Sequence, residues 1–191
     1  MTLLSEMRDT MGLVLLDMGK DPAKFSAGDF AAGIDRLQKA VDSGQVRKFT
    51  GNEYAQDLAK GNIAACTAWS GDVIQLQFDD ENIKFVRPES GLILWSDNML
   101  VPNKSQHKKN AERLINYYYD REVAAKVAAY VNYICPVQGA QEAMGKVDKS
   151  LADNPLIFPD DETLAQTHIF RGLSEKEERD FEDQFQKVIG A

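Results

Sequence analysis

The sequence predicts an α/β protein with a largely parallel β-sheet. Amphipathic helical segments and short extended segments follow one another along the chain, and no internal repeat or low-complexity tract interrupts this order. Strands that are separated by helices favour parallel pairing, because a right-handed crossover returns the chain in the same direction and places the helix on a sheet face. The 191 residues are 43% hydrophobic, which is enough to bury a core.

Two amphipathic helices are predicted in the N-terminal part of the chain. Apolar residues recur at three- and four-residue steps between Ser5 and Gly19, which is the period of a helix stripe. Ser26 and Asp29 form a variant of the capping box, and the helix that they start is closed by Gly44. The stripes consist of Met7, Met11, Val14, Leu15 and Met18, and then of Phe30, Ile34, Leu37 and Val41.

Short extended segments are predicted in the middle of the chain. Segment 63–69 is small, apolar and compact, as in a buried strand, and segment 82–86 alternates apolar with polar side chains. A short helix around Tyr54 and Leu58 and a helical turn over 72–77 lie near these segments. The predicted strands are 46–49, 63–69 and 82–86, followed by an extended run over 91–101.

Helices are predicted again in the C-terminal part. Asp120 is the expected N-cap between two helices, and Ser174 and Glu177 form a full capping box for the last one, which ends at Gly190. The three apolar stripes are Ala111, Leu114, Ile115 and Tyr118, then Val123, Val127 and Val131, and then Phe181, Phe185 and Val188.

The net charge of −8 and the pI near 4.8 exclude some classes of partner. A general nucleic-acid binder needs a basic face, so nucleic acid is not expected as a partner, whereas cations are attracted. No apolar run approaches the roughly 18 residues of a membrane span. The basic and apolar regions of a secretory signal are not found at the start of this chain.

The sequence carries no common enzyme or metal motif. The glycine-rich phosphate loops, the zinc-protease helix and the nucleophile elbow are all missing. His107 and His168 are far from each other and from Cys66 and Cys135, so no metal site or cofactor is predicted. The two cysteines form one bridge or none. A small α/β hydrolase with a cysteine or histidine stays an alternative.

Both tryptophans lie beside aspartates on extended or turn segments. Trp69 and Asp72 follow the apolar segment 63–69, and Trp95 and Asp97 lie within the later extended run. An indole face attracts an ammonium group and packs on methylenes, while a carboxylate accepts its charge-assisted hydrogen bonds. Ligands of α/β proteins bind at strand ends, so this pattern suits a flexible alkyl cation. The alternative is a core tryptophan beside a turn aspartate.

Three further residues are candidates for the same site. Glu6 and Asp9 are three positions apart and share a helix face, where they form a second pair of carboxylates or merely offset the helix dipole. Tyr133, close to Cys135 and Pro136, is a candidate wall of the site or a core residue.

At these residues the chain resembles the spermidine/putrescine-binding receptors of bacterial ABC transporters, from about Leu3 to the C-terminus. The most specific segments are Ala68-Trp69-Ser70-Gly71-Asp72 and Gly91-Leu92-Ile93-Leu94-Trp95-Ser96-Asp97, with shorter matches at Val101-Pro102, Leu114-Ile115-Asn116-Tyr117 and Phe158-Pro159-Asp160. The resemblance implies a type II periplasmic-binding-protein fold of two α/β lobes. This chain would comprise mostly the second lobe and the segment that crosses into the first.

The resemblance also implies a domain organisation and a function. Residues 1–94 would form the first part of the second lobe, 95–137 the hinge crossing and first-lobe segment, and 138–191 the return. The family's N-terminal half and its export signal are not found in this sequence. The implied protein is a periplasmic or cell-surface receptor that binds spermidine or putrescine without catalysis and serves ABC permease subunits. The implied ligand contacts are Trp69, Asp72, Trp95, Asp97, Tyr133, Glu6 and Asp9. A receptor for an amino acid, a sugar or iron is the runner-up.

Two structural expectations depend on this resemblance. If Trp69 and Tyr133 line one cleft, Cys66 and Cys135 can approach each other, and an exported protein permits a disulfide; two free thiols are the alternative. Without the first lobe, the apolar stripe of the crossing segment would face water and favour a homo-oligomer. That stripe comprises Leu114, Ile115, Val123 and Val127.

Overall fold

Four short strands and ten helices occupy the described residues, 1–190, of the computed structural model. β1 pairs with β2 and β3 with β4, both in parallel, which confirms the α/β class. In chain order the elements are β1 (Thr2–Leu4), α1 (Met7–Asp17), α2 (Ala27–Asp42), β2 (Lys48–Thr50), α3 (Tyr54–Ala59), α4 (Ser70–Asp79), β3 (Leu92–Ile93), α5 (Lys108–Tyr118), α6 (Arg121–Val131), α7 (Ala140–Met144), α8 (Lys149–Ala152), α9 (Asp161–Ala165), β4 (Thr167–His168) and α10 (Glu175–Ile189).

The chain divides into two compact units. Unit 2 comprises Ser70–Gln75 and Ser96–Ala165, and unit 1 comprises the described residues before, between and after these two segments. The first of the expected boundaries, at 94/95, lies next to the division after Trp95. The segment 138–165 packs within unit 2, and the chain returns to unit 1 at Gln166. The assignment of 1–94, 95–137 and 138–191 to the lobes of a receptor stays a prediction.

The main core of unit 1 lies among α1, α2 and α10. The rings of Phe30 and Phe181 stack with their centroids 4.1 Å apart. Both predicted capping boxes are formed, at Ser26 before α2 and at Ser174 before α10, and all three predicted helices are confirmed. The buried side chains of this core are Met7, Met11, Leu15, Phe25, Phe30, Leu37, Phe170, Phe181, Phe185 and Val188.

Two of the predicted strands in unit 1 are wrong. Segment 63–69 forms only a single bridge, between Thr2 and Cys66, because the Leu4 N–H donates to the Thr67 side-chain oxygen and not to a backbone carbonyl. Segment 82–86 has no strand partner, and the Ile83 carbonyl instead accepts a hydrogen bond from the side chain of Gln77. The extended run 91–101 is a strand only at β3, and the predicted strand 46–49 is shifted to β2.

Unit 2 contains the predicted helices α5 and α6. The Asp120 side chain caps α6 by accepting from the Glu122 and Val123 amides at 2.9 and 3.2 Å. The core of unit 2 consists of Ile74, Ala125, Ala128, Ala143, Met144, Leu151, Ala152 and Ile157.

Helix α5 has no buried residue within this core. Leu114 is 68% exposed, as expected for an uncovered stripe. Ile115, Val123 and Val127 are half-buried, so the expectation that all four face water is wrong for these three. Among residues 1–190, no helix has both the length and the apolar character needed to cross a bilayer.

Candidate functional site

Trp69 and Asp9 are in contact within unit 1, although 60 positions separate them in the sequence. The indole Nε1–H of Trp69 donates to Oδ2 of Asp9 at 3.2 Å, and both side chains are half-buried. Trp69 precedes α4, while Asp9 lies in the first turn of α1. One edge of the indole is therefore fixed against a carboxylate.

The segment before Trp69 is brought to α1 by hydrogen bonds to β1. The Thr67 N–H donates to the Thr2 carbonyl at 3.0 Å, and the Thr67 hydroxyl oxygen accepts from the Leu4 N–H at 2.9 Å. Leu4 leads directly into α1, where the Thr10 hydroxyl donates back to the Leu4 carbonyl at 2.6 Å. These contacts hold the chain two residues before Trp69 beside the start of the helix that carries Asp9.

Burial raises the pKa of Asp9 above its ordinary value of 3.8. The hydrogen bond from Trp69 opposes this change, and the negative charge of Glu6 adds to it. Glu6 itself is exposed and precedes α1, where its Oε2 accepts from the Ser5 hydroxyl at 3.2 Å. The predicted pair of carboxylates thus interacts electrostatically, with one member half-buried and the other in water.

A second cluster of candidate residues lies within unit 2. The Tyr133 hydroxyl donates to Oδ1 of Asp72 at 3.2 Å, and both residues are half-buried. Burial, the charge of Asp72, the hydrogen bond to it and the charge of Asp97 all raise the pKa of Tyr133 far above its ordinary value of 10. Two carboxylates thus act electrostatically on one neutral tyrosine.

Local backbone features position Tyr133 in this cluster. Asn132 ends α6 in the left-handed conformation at φ 60°, which asparagine tolerates better than most residues, and its side-chain amide donates to the Ala129 carbonyl at 3.1 Å. The ring of Tyr133 then lies directly on Gly71 in the first turn of α4. A Cβ at Gly71 would come within 2.5 Å of the ring, so only glycine permits this approach.

The structure brings together some of the predicted residues. Trp69, Asp9 and Glu6 form one group, and Asp72, Tyr133 and Asp97 form the other. Trp69 and Asp72, expected as a pair, belong to different units, and each has its partner within its own unit. Trp95 lies at the end of a unit 1 segment and is 45% exposed.

Sequence reasoning missed two residues of these groups. Tyr54 accepts a hydrogen bond from the Trp69 backbone, and Gly71 accommodates the Tyr133 ring. Tyr54 was identified only as part of a short helix, and no spacing or motif connects it with Trp69. The glycine within the Trp-Ser-Gly-Asp segment was the one available signal for Gly71.

Cys66 and Cys135 are both free thiols, so the disulfide, one of the two alternatives, is not formed. Burial raises the pKa of each thiol, which lowers the fraction of reactive thiolate at neutral pH. Within the described part of the chain, no group of three or more metal-ligating side chains is found. Surface cavities of about 440 and 520 Å³ lie in unit 2 and unit 1, and neither is lined by a candidate residue.

The fold agrees with what comparison with known proteins shows. The family model for bacterial extracellular solute-binding proteins matches residues 5–159, and the chain belongs to this family.

Relatives within the family are polyamine-binding proteins by name. The chain is 25% identical over 166 residues to spermidine/putrescine-binding periplasmic protein 1 of Haemophilus influenzae, a match that covers 87% of this chain and 45% of that protein. It is 29% identical over 140 residues to the putrescine/agmatine-binding protein of Pseudomonas aeruginosa, with 70% and 37% covered.

A solved structure supports the fold over nearly the whole chain. The spermidine/putrescine ABC transporter substrate-binding protein of Streptococcus pneumoniae superimposes with a TM-score of 0.80 and 24% identity, covering 98% of this chain and 56% of that one. The predicted type II periplasmic-binding-protein-like fold is thereby confirmed. The chain spans less than half the length of the two curated relatives that it matches here.

Proposed function

We propose that this chain binds spermidine or putrescine as part of an extracytoplasmic receptor that serves an ABC permease. The single observation that carries the proposal is the pairing of carboxylates with aromatic side chains in two places, Asp9 with Trp69 and Asp72 with Tyr133. The chain's family is one of solute-binding proteins, and a carboxylate beside an aromatic ring suits the binding of a cation.

The group in unit 1 suits an ammonium ion attached to methylenes. The Asp9 carboxylate, already bonded to the indole through one oxygen, has lone pairs left for a charge-assisted hydrogen bond. The π-face of Trp69 attracts a cation by about 0.5–2 kcal/mol and also packs on methylenes. Glu6 adds a second negative charge near Asp9.

The group in unit 2 offers the same chemistry with a different aromatic residue. The charges of Asp72 and Asp97 both act on Tyr133, so an ammonium ion bound here would neutralise negative charge. Trp95, two residues before Asp97, is a further candidate contact for methylenes. The net charge of −8 favours the approach of a polycation to either group.

Calorimetric titration of the full chain with putrescine and spermidine tests the proposal. We expect saturable binding that Trp69→Ala and Asp97→Ala each weaken by about tenfold, because the indole attracts a cation by about 0.5–2 kcal/mol and a hydrogen bond to a charged group contributes about 1.5–3 kcal/mol. Asp79→Ala is the matched control, since Asp79 is an exposed aspartate at the end of α4. Absence of saturable binding by the wild-type chain would refute the proposal.

A thermal-shift panel of polyamines, sugars, amino acids and iron distinguishes the proposed ligand from the alternatives. We expect stabilisation by the polyamines alone, because their ammonium groups and methylenes both find partners beside a carboxylate and an aromatic ring, and a sugar has no ammonium group. If another solute stabilises the chain, and Trp69→Ala abolishes that stabilisation, the site would be assigned to that solute instead.

A further inference from the structure

Tyr54 is the largest fully buried side chain of the described residues and lies directly behind Trp69. Its hydroxyl oxygen accepts a hydrogen bond from the Trp69 backbone N–H at 3.0 Å. The two rings also meet edge to face, with centroids 6.1 Å apart and an interplanar angle of 63°. Tyr54 begins α3 and belongs to a small core with Leu4 and Ile63, against which Trp69 packs.

The Trp69 backbone N–H is bonded to Tyr54 directly before α4 begins. Trp69 stands in extended conformation before α4, and its side chain does not cap the helix. A backbone N–H that is shielded from water needs a partner, because its loss of hydration is otherwise uncompensated. The Tyr54 hydroxyl supplies that partner and fixes the point from which the indole extends.

Two contacts therefore determine the orientation of the indole. Tyr54 holds the backbone N–H and its ring meets the indole at a steep angle, and Asp9 accepts a hydrogen bond from Nε1. A tryptophan side chain has two rotatable bonds, so anchoring the backbone and Nε1 leaves it one arrangement. A preorganised indole loses less conformational entropy when a ligand binds.

From this geometry we infer that Tyr54 is a positioning residue for ligand binding: its hydroxyl orients Trp69 for the cation without touching the ligand. The inference rests on the proposed function. The ring and the hydroxyl of Tyr54 have separable roles, because the ring fills the core while the hydroxyl alone bonds the Trp69 backbone. Tyr54→Phe removes the hydroxyl and retains the ring.

The test combines binding with a spectroscopic measurement that needs no ligand. In a Trp95→Phe background, Trp69 is the single tryptophan of the full chain. Its emission maximum, anisotropy and quenching by acrylamide then report the order and exposure of that indole. We expect Tyr54→Phe to stay folded, to lower the anisotropy and increase the quenching of Trp69, and to weaken putrescine binding about tenfold by leaving the amide without its partner.

Tyr130→Phe is the matched control, because Tyr130 is 85% exposed and loses the same hydroxyl. Equal effects of the two substitutions would overturn the inference, and so would a Tyr54→Phe variant whose Trp69 signal and affinity match those of the Trp95→Phe parent. Failure of the wild-type chain to bind polyamines would refute the proposed function. This outcome is distinguishable from failure of the Tyr54 inference, because the fluorescence of the unliganded variants still reports the order of the indole.

Discussion

Replacing Gly71 by alanine should displace the Tyr133 ring. A Cβ at Gly71 would lie 2.5 to 2.7 Å from three ring carbons of Tyr133. Carbon atoms pack at about 3.5–4.0 Å, so the ring must retreat by about 1 Å. A retreat of that size lengthens the 3.2 Å hydrogen bond to Asp72 beyond its useful range.

The magnitude follows from two opposing effects. Overpacking of a buried site costs about 1–3 kcal/mol, whereas alanine gains up to about 1 kcal/mol over glycine in a helix. We therefore expect Gly71→Ala to lower the free energy of unfolding by about 1–2 kcal/mol, together with weaker polyamine binding. Urea unfolding followed by circular dichroism measures the first effect and calorimetry the second.

Gly28→Ala provides a closely matched control. Gly28 is the second residue of α2, as Gly71 is of α4, but the nearest atom to its added Cβ is the Ser26 hydroxyl at 3.7 Å. This variant should be as stable as the wild type or slightly more stable. The reasoning fails if Gly71→Ala behaves like Gly28→Ala, or if a Tyr133→Ala background leaves the cost of Gly71→Ala unchanged.

Three other perturbations have distinct expected outcomes. The raised pKa of Asp9 means that ionisation of this carboxyl opposes folding, so the protonated group contributes stability below pH 3.8 and this contribution is lost as the pH rises through the folded-state pKa. The stability of Asp9→Asn relative to the wild type should therefore increase between pH 3.5 and pH 7 in urea titrations. A difference in stability that does not change with pH contradicts this. Ser174→Ala removes the N-cap of α10 and should cost about 1 kcal/mol in thermal unfolding, with no cost contradicting the role of the cap. On α5, Leu114 is 68% exposed and Tyr117 is 63% exposed. Burial of a leucine contributes about 1.5–3 kcal/mol, so we expect self-association through this face, which Leu114→Glu abolishes. Detection of monomer alone by native mass spectrometry at micromolar concentration would contradict this.

The helices were predictable because their determinants are local. Each capping box spans only four residues and directly precedes the apolar stripe of its own helix. Both boxes are formed, at Ser26 before α2 and at Ser174 before α10. Strands need a partner elsewhere in the chain, and apolar composition at 63–69 did not reveal that Thr67 bonds β1 through its side chain. That segment therefore contributes a bridge and core side chains, and no strand.

The candidate residues were predictable only in part. The indole and carboxylate types indicated a cation site, and the resemblance extended the set to Glu6, Asp9 and Tyr133. The contact of Asp9 with Trp69 depends on how β1, α1 and the Thr67 segment pack, which a single sequence does not display. Tyr54 acts through a backbone amide, and a hydrogen bond to a backbone places no requirement on the type of side chain at the donor position.

The stacking of Phe30 on Phe181 has a consequence for biosynthesis. These two rings are 151 positions apart in the sequence, and Arg171 similarly donates to the Phe25 carbonyl from 146 positions away. During translation α1 and α2 leave the ribosome long before α10 does, so their apolar faces stay uncovered until α10 emerges. The interior contacts of unit 2 are complete once Ala165 has emerged, which predicts that it folds first and that nascent chains shorter than about residue 181 are the form most in need of chaperones.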